Sequence, residues 1–473
     1  MTARSLIRRF RSDPFGLKAL VDCTKGITAL MVAMMLPVLV VFAALAVDMS
    51  YYRHLQLQLQ ATTDTTALYM ASRASATLNA TVLNPTVESM TDEIETAIEI
   101  GAMNLPEGYA KGAIDISDIS IGEWDYRTST FSDVPPFTIV NAVKVKGVLS
   151  KDRGNGPIKF FSSLTGGDTE ISSTSYAFIP PVPTIHTLDT TASRSFSISG
   201  SADIDAYDAW VDSSADDAIF MSTSVLSAWG GYGVFTSGGA EFVGTRQRTR
   251  ERVYQDMFSL GDLLAETPSV DFKTCHDIWN AGYWISCGTR WNRVLNVTRD
   301  IRLWPGIYNG GLELRGAGKV TLRPGIYVIR DGPLTTTGNV EIEGDGVLII
   351  FTGNGARLNH QGGRLNLSGL TTGDLQGFVM YADRDTTVGE QHVSNANLDF
   401  SGTVYFPTGD LSVNAYMNGN CHSLCVVTRN FATTTFLNIH PSFNVNRIGK
   451  NVNMPAPLAL IPSLLPVLST VSG

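Results

Sequence analysis

The sequence predicts a single-pass membrane protein. One transmembrane α-helix leads into an α+β module and then into a mainly-β C-terminal domain, a right-handed parallel β-solenoid. Three observations predict this fold class: residues 26–47 form an uncharged apolar run, the pattern changes from helical to strand-like near residue 184, and a short motif recurs at about the period of one solenoid coil. The length of 473 residues also exceeds what one hydrophobic core usually serves, so several folded units are expected.

Composition excludes several classes of protein. Hydrophobic residues make up 44% of the chain and charged residues only 17%, whereas an intrinsically disordered chain is charged and poor in apolar residues. The 44 glycines follow no three-residue period, which excludes collagen. The formal net charge of −9 argues against a nucleic-acid partner, because contacts with phosphate require clustered cations.

The first 47 residues predict a membrane anchor. Residues 1–25 form a basic tail with six Lys or Arg and two Asp side chains. The following apolar run, 26–47, would span ~33 Å as a helix, enough to cross the hydrocarbon core of a bilayer. Pro37 lies in mid-span and predicts a kink rather than a break. Because Lys and Arg favour the cytoplasmic flank, the N-terminus is expected inside and residues 48–473 are expected to be exported.

A cleaved secretory signal is the alternative interpretation of this segment. The apolar region of such a signal runs for only ~7–15 residues and ends at a cleavage site of small residues. Here the apolar run is longer and the helical pattern continues beyond it. These two features favour an anchor that stays in the mature protein.

Residues 48–180 predict a helical stalk followed by an α+β module. No Gly or Pro interrupts 51–78, where apolar residues recur at helical steps. A second helix is expected over 91–104, with Thr91 as N-cap and two acidic residues in the first turn. Strands are expected over 113–124, 138–149 and 171–179, before prolines 180, 181 and 183 form a stiff linker.

From 184 to 452 the pattern predicts the β-solenoid. The motif Pro-Gly-Ile-Tyr at 305–308 returns at 324–327, nineteen residues later, among short strands separated by Gly, Asn, Asp or Ser. A parallel solenoid coil has about this length, and only stacked coils bury their inward residues. A two-sheet β-sandwich is the alternative, since it also has regularly spaced short strands. The expected buried column contains Val320, Leu322, Ile326, Val328, Val347, Ile349 and Phe351.

Two stretches depart from this pattern. Residues 251–264 are expected to form a helical segment within the solenoid region. Residues 453–473 form an apolar tail with four prolines, which excludes a membrane helix of normal form. Docking on a partner, packing along the solenoid and contact with the membrane stay open as roles for this tail.

The cysteines are distributed as in a protein exported to an oxidising compartment. Cys23 lies on the predicted cytoplasmic side, and the other four form two close pairs, Cys275 with Cys287 and Cys421 with Cys425. We expect two local disulfides, because the two pairs lie too far apart in sequence for the usual spacing of a zinc site. Zinc binding and unpaired thiols are the alternatives.

The sequence predicts no catalytic residue, no metal site and no cofactor. The best acid–base cluster is Asp383, Arg384 and Asp385, for which a solvated turn after a buried strand is the simpler role. Asp189 begins a motif with three oxygen ligands suited to Mg²⁺, but the fold that uses this motif needs long helices that residues 194–450 do not offer, so bonding to turn backbone is the favoured role. Three histidines in polar loops have no metal-binding spacing: His360, His392 and His422.

Aromatic residues crowd the segment that Cys275 and Cys287 bracket. A ledge that binds a sugar or a protein partner is one interpretation, because aromatic side chains anchor interfaces. A role in the core or as a cap of the solenoid is the other. The residues are Trp279, Tyr283, Trp284 and the nearby Trp291.

Residues 25–72 resemble the N-terminus of TadE/TadG-like Flp (Tad) pilus-assembly proteins. The shared features, in order, are the apolar span, Asp48 at its exit, Tyr52-Arg53, a Leu-Gln run and a polar-Asp-polar-Ala-Leu stretch over 63–68. The sequence up to residue 177 is similar to the periplasmic module of the family. The distal region resembles the variants that carry a C-terminal parallel β-helix, for example in LRPGIYVIRDGPLTTTGNVEIEGDGVLIIFTG.

The resemblance implies a non-catalytic structural or assembly role in a bacterial Tad pilus or tight-adherence secretion apparatus. It implies a pilin-like module, an inner-membrane anchor with the bulk of the chain in the periplasm, and pilin-like or other Tad subunits as partners. Asp48 is expected to keep its charge at the outer membrane interface. The positions expected to anchor the helix or pack the stalk are Pro37, Asp48, Arg53, Leu55, Leu59, Thr66 and Tyr69.

Two other functions stay open at this point. A membrane-held adhesin would contact surface glycans or the outer membrane through the aromatic segment. A carbohydrate-active β-helix enzyme would use the acidic cluster at 383–385, because such enzymes need grouped carboxylates for acid–base catalysis.

Overall fold

The computed structural model describes most of the chain. The predicted basic tail, prolines 180 and 181 and most of the C-terminal tail lie outside the described residues. The described residues are 24–80, 90–126, 128–133, 141–158, 170–178, 183–200, 202–206, 208–222, 225–226, 233–257, 259–265, 267, 288–385, 388–421, 424–441 and 459–461.

One long helix dominates the N-terminal part. The predicted anchor and stalk form a single 57-residue helix, α1 (Thr24–Ala80). A second helix, α2 (Thr91–Ala102), packs against it through Ile94 and Ala97. Its N-cap is Met90 rather than Thr91, and no side chain caps it. Two short elements follow, helix α3 (Glu107–Ala110) and a 3₁₀ turn (Ile116–Asp118).

A small antiparallel sheet packs against the upper half of α1. Its first four strands, in chain order, are β1 (Ile119–Asp125), β2 (Thr130–Ser132), β3 (Ala142–Leu149) and β4 (Ile171–Phe178), and a C-terminal strand (Ala459–Ile461) extends it beyond β4. In β3, Val143 and Val145 are buried whereas Lys144 and Lys146 are not. This alternation confirms the one-sided burial that the sequence predicted for this strand.

Twenty-five strands form the solenoid, which has about ten turns. Every ladder between these strands is parallel within the described residues, so the β-sandwich alternative is wrong. The strands are β5 Ile185–Thr187, β6 Phe196–Ile198, β7 Asp203–Ala206, β8 Ala209–Val211, β9 Ile219–Ser222, β10 Val225–Leu226, β11 Val234–Thr236, β12 Ala240–Val243, β13 Val253–Tyr254, β14 Gly288–Val297, β15 Ile301–Leu303, β16 Gly306–Gly316, β17 Lys319–Leu322, β18 Gly325–Arg330, β19 Pro333–Gly338, β20 Glu341–Gly344, β21 Val347–Thr352, β22 Arg357–Ser368, β23 Phe378–Ala382, β24 Gln391–Ser401, β25 Thr403–Phe406, β26 Leu411–Cys421, β27 Val426–Thr428, β28 Phe431–Thr433 and β29 Leu437–Pro441. The C-terminal strand Ala459–Ile461 is β30.

The spatial order of the coils differs from their order in the chain. The last coil, β27–β29, pairs in parallel with the first, β5–β7, and the stack then continues through β8 and β11 to β13. The opposite end of the stack therefore begins at β14. At the junction the buried rings of Phe196 and Phe431 stack with their centroids 5.6 Å apart.

The chain must return along the stack to connect β13 with β14. Residues 255–267, which we call the return segment, begin this path on the outside of the solenoid. The Leu260 N–H donates to Asp212 Oδ1 at 2.8 Å, and the Tyr405 hydroxyl donates to Asp262 Oδ2 at 2.5 Å. Arg384 donates to the carbonyl of Ala265 at 2.6 Å. The helix expected over 251–264 is therefore wrong: the described helix nearby is only α4 (Gln247–Arg250).

One face of the solenoid is buried on both sides. In β18, Tyr327 and Ile329 point into the main core, whereas Ile326 and Val328 join an outer apolar layer that the return segment partly covers through Leu264. The expected inner column therefore holds for Val320, Leu322, Val347, Ile349 and Phe351 but is wrong for Ile326 and Val328. Strands buried on both faces are continuously apolar, so alternation does not tell inside from outside there.

The repeated motif follows the coils with a small offset. Its two tyrosines, Tyr308 and Tyr327, both lie in the inner core with ring centroids 6.1 Å apart. The ladder, however, pairs Gly306 with Tyr327 rather than with Gly325. An offset of two residues keeps the same side chains inward, because side chains alternate with a period of two.

The junction between the last and the first coil gives a stability prediction. Phe196→Ala removes a fully buried ring of the first coil that packs on Phe431 of the last coil. The substitution is expected to lower the free energy of unfolding by ~3–5 kcal/mol. Phe220→Ala is the matched control, because this neighbouring ring is only half-buried, beneath Arg194, and its loss should cost about 1 kcal/mol or less. Denaturant unfolding of the full chain in detergent measures both, and equal losses would contradict the proposed coil order.

His360 lies in strand β22 and is completely buried, so its expected place in a polar loop is wrong. Its Nε2–H donates to the carbonyl oxygen of Asn397 at 3.3 Å, and its Nδ1 contacts the hydroxyl of Thr336. Burial lowers the pKa of His360 to about 4, because the charged imidazolium loses its hydration.

This lowered pKa predicts a pH dependence of stability. The unfolded chain protonates His360 below about pH 6.5, whereas the folded chain does so only below about pH 4. The free energy of unfolding should therefore fall as the pH drops through this window, by up to ~3 kcal/mol from this group. His360→Gln should lose that part of the dependence, and unfolding midpoints at several pH values compare the two proteins. Parallel curves for both would refute the assignment.

Candidate membrane anchor and its docking surfaces

The lower half of α1 carries a belt of exposed apolar side chains. Within the described residues, Met31–Arg73 is the one helical stretch long and apolar enough, by length and composition, to cross a membrane. Large apolar side chains exposed to this extent on a soluble surface would be unusual, so the belt requires lipid or a partner. They are Met31, Val32, Met34, Met35, Leu36, Val38, Leu39, Val40, Val41, Phe42, Leu45 and Val47, each between 48% and 66% exposed.

The helix is continuous through Pro37. Proline removes one backbone donor, which membrane helices tolerate. Beyond the belt, Asp48 is buried whereas its neighbours Val47 and Met49 are exposed. The expected charge of Asp48 at the outer membrane interface stays a prediction. Arg53, one of the positions expected to anchor the helix or pack the stalk, is exposed.

The upper half of α1 packs on this chain's own module. Leu55 and Leu59 are fully buried beside Leu149 and Ile171 of the sheet. Gly147 allows this approach, because a Cβ there would lie 2.8 Å from Leu59 Cδ1. Both positions, which the sequence argument expected to anchor the helix or pack the stalk, thus pack within the chain.

Thr66 and Tyr69 have intramolecular contacts as well. The buried Thr66 hydroxyl lies 2.9 Å from the Thr62 carbonyl and 3.3 Å from the Ala97 carbonyl of α2. The half-buried Tyr69 hydroxyl accepts a hydrogen bond from Arg73 Nε at 3.2 Å, on the same helix. Thr66 therefore helps to hold the two helices together.

A polar seam fixes the position of α1 on β4. The Ser175 hydroxyl lies 2.6 Å from Asp64 Oδ1 and 2.7 Å from the Thr63 hydroxyl. Gln60 Nε2 donates to Asp64 Oδ1 at 2.7 Å, and the Ser173 hydroxyl donates to Gln60 Oε1 at 2.5 Å. Directional hydrogen bonds between largely buried groups fix one register, since a shift would leave them unsatisfied. Asp64 belongs to the polar-Asp-polar stretch singled out in the sequence, so that stretch docks the helix.

An aromatic joint connects the module to the solenoid. Trp124, Tyr126 and Phe178 of the module pack with Trp210 and Phe235 of the solenoid in one buried cluster. The Tyr126 and Phe235 rings meet edge to face at 5.3 Å, and Trp210 stacks on Phe235 at 4.8 Å. Such contacts give a geometry that is both apolar and orientation-specific. Sequence patterns did not predict this joint, because its members lie on separate elements.

Arg384 has a structural role that the sequence argument missed. Rather than pairing within a solvated turn, its guanidinium donates to the Tyr405 hydroxyl and to the carbonyls of Leu264, Ala265 and Thr267 in the return segment. Burial raises the pKa of Tyr405 beyond its ordinary range, so the phenol stays protonated and donates to Asp262. Arg384, for which a solvated turn was the simpler expected role, is thus a clamp on the return segment.

The structure describes some of the other candidate residues, and the rest lie outside the described residues. Cys421 and Cys425 form a disulfide, as predicted. Asp189 Oδ1 accepts from the backbone N–H groups of Thr191 and Ala192, which confirms its turn role. Trp291 lies in β14, where its backbone pairs with Asn309. The candidates outside the described residues are Cys275, Cys287, Trp279, Tyr283 and Trp284.

Within the part of the chain that the structure describes, no group of three or more His, Cys, Asp or Glu side chains could hold a metal ion.

The comparisons with known proteins point to one segment. No curated protein matches the chain. The family model described as putative Flp pilus-assembly TadE/G-like matches residues 26–73, which comprise the exposed apolar belt and the docked upper half of α1. Over this segment the chain is therefore similar to the TadE/G-like Flp pilus-assembly family, as its resemblance indicated.

Proposed function

We propose that this protein is a membrane-anchored, non-catalytic structural component of a bacterial Tad (Flp) pilus or tight-adherence secretion apparatus. The observation that carries the proposal is the coincidence of the family match with α1: residues 26–73 contain both the bare apolar belt and the polar seam that docks the helix. The segment that matches the family therefore comprises an anchor and its attachment to a module.

The proposed location is the bacterial inner membrane, with the N-terminus in the cytoplasm. The excess of Lys and Arg before residue 26 supports this orientation. The disulfide between Cys421 and Cys425 supports an oxidising compartment, the periplasm, for the solenoid. The proposed units are the basic tail 1–25, the anchor 26–47, the pilin-like module 48–180, the solenoid 184–452 and the tail 453–473.

The proposed mechanism uses the two halves of α1 differently. In the bilayer, the belt packs beside the helices of pilin-like or other Tad subunits, because about half or more of each of its side chains is exposed in this chain. Outside the bilayer, Leu57 is the one large apolar side chain of the stalk that is strongly exposed, at 70%, in the described part of α1. The aromatic joint then transmits the orientation of the anchor to the solenoid.

Cysteine crosslinking in cells with an intact Tad system tests this mechanism. Cysteine at Leu57 or at Phe42 is expected to crosslink to pilin-like subunits, whereas Leu59→Cys, two residues from Leu57 but buried, should not. A strain that lacks the pilin-like subunits is the control for specificity. Crosslinks that persist in that strain, or their absence from both exposed positions, would refute the proposed packing.

A membrane-held adhesin is the second candidate, and one surface feature favours it. The rings of Tyr416 and Phe436 are stacked with nearly parallel planes and centroids 5.5 Å apart. Both side chains are over a third exposed. Flanking amides Asn418 and Asn438 are hydrogen-bonded to each other at 3.1 Å on the same face. Parallel exposed rings beside amides suit the apolar face and the hydroxyl groups of a sugar.

Binding assays with immobilised glycans test the adhesin function. The double variant Tyr416→Ala/Phe436→Ala should lose at least about tenfold in affinity, because both stacking contacts disappear. Tyr381→Phe is the control, since Tyr381 is buried and cannot contact a glycan. Equal binding by all three proteins, or by none, would leave the assembly role as the one proposed function.

A further inference from the structure

Without its last strand, the sheet of the module would end in an unprotected edge. Strand β4 pairs with β3 along all eight of its residues, Ile171 to Phe178. Its other edge would expose the remaining backbone N–H and C=O groups. Natural edge strands are protected by charged side chains or prolines, and β4, with the sequence ISSTSYAF, has neither. A long neutral edge of this kind pairs readily with another strand.

The C-terminal tail covers the end of this edge, at residues 176–178. Strand β30 pairs antiparallel with the end of β4, with Ala459 opposite Phe178, Leu460 opposite Ala177 and Ile461 opposite Tyr176. The pairing is confined to three residues. Pro457 and Pro462 flank the strand in the sequence, and proline donates no ladder hydrogen bond. The prolines therefore limit the strand to a short segment that ends a sheet rather than extends one.

The connection to the solenoid permits this pairing within one chain. Seventeen residues separate the end of β29 at Pro441 from Ala459, which allows a reach of up to ~56 Å. A tether of this length holds the strand at a high effective concentration near its acceptor. Three ladder positions alone would bind weakly, so the tether, not the contact area, supplies most of the occupancy.

The covered edge is continuous with the aromatic joint. Phe178, opposite Ala459, stacks on Trp124 at 5.4 Å and belongs to the cluster that fixes the solenoid. A second molecule that paired with this edge would therefore approach the point where the two units meet. An isologous pairing of two β4 edges around a two-fold axis is the geometry that identical edges favour.

We propose that residues 459–461 are an intramolecular cap on β4, and that the partner they exclude is the β4 edge of a second copy of this chain. The cap assigns a role to the proline-rich tail that is independent of the proposed place in a pilus apparatus. In the capped molecule this edge does not pair with a second copy. Release of the tail converts the edge into a self-association surface.

A disulfide trap tests whether the cap acts within one chain. In the full chain with Cys23, Cys275 and Cys287 replaced by Ser, the pair Tyr176→Cys/Ile461→Cys should form an intramolecular disulfide, because the two residues are register partners. Ser172→Cys/Ile461→Cys is the matched control, on the same strand and face but ~13 Å away along β4. Two differently tagged copies, each with one of the two cysteines of the first pair, should not crosslink. An intermolecular disulfide between them, or none within one chain, would overturn the proposal.

Proline substitution tests what the cap excludes. Alternate residues donate to an antiparallel ladder, so Ala459→Pro/Leu460→Pro removes at least one donor whichever residue bonds to β4. The particle mass in detergent should then indicate dimers, with an association constant at least about tenfold above that of the parent. Leu468→Pro, in the same tail but outside β30, should remain like the parent.

A synthetic peptide with the sequence of residues 455–466 separates loss of the cap from loss of folding. Added in excess to Ala459→Pro/Leu460→Pro, it should return the protein to monomers, because the acceptor edge is intact. A double variant that stays monomeric, or dimers that the peptide does not dissociate, would overturn the proposed exclusion of a second copy.

Discussion

The rest of the structure depends on one helix that lies in two different environments. Over its first half, α1 has apolar side chains that are largely exposed, and over its second half Leu55 and Leu59 are core residues of the module. Burial of the second half fixes where the first half must lie, because the helix is continuous. The polar seam around Asp64 adds direction to this attachment. The position of the apolar half of α1 is thus determined by the packing of the other half on the module.

Local periodicity predicted the elements but not what covers them. Alternation in β3 reports which way neighbouring residues face and was interpreted correctly. The motif at 305–308 and 324–327 correctly indicated the stacking of successive coils. Ile326 and Val328 were placed in the wrong layer, because a strand buried on both faces is apolar at every position. Arg384 was taken for a turn residue, since its partners lie about 120 residues away in the return segment. Contacts of that separation leave no periodic trace in the sequence.

The aromatic joint and the Arg384 clamp both restrict how parts of the chain move relative to one another. A solenoid attached only through a proline linker would be free to swing relative to the anchor, whereas the stacked rings around Phe235 restrict its orientation. The return segment adds a longitudinal tie, because Asp212 and Arg384 hold it at two different coils. Forces applied at the far end of the stack therefore reach the module through side chains as well as through the backbone. In the proposed assembly role, such stiffness is what a fixed spacer requires.

The order of the coils also determines when the solenoid becomes complete. Strands β5–β7 have a partner in β8–β10 soon after they are made, but their other edge waits for β27–β29, about 240 residues later in the chain. Until then the first coil exposes an edge that resembles the uncapped β4, and both edges are closed by the last part of the chain. The segment after residue 425 thus completes two sheets: its strands bury Phe196 against Phe431, and its tail then reaches β4. Chain order therefore makes protection of both edges a late event, and a truncated chain would leave both exposed together.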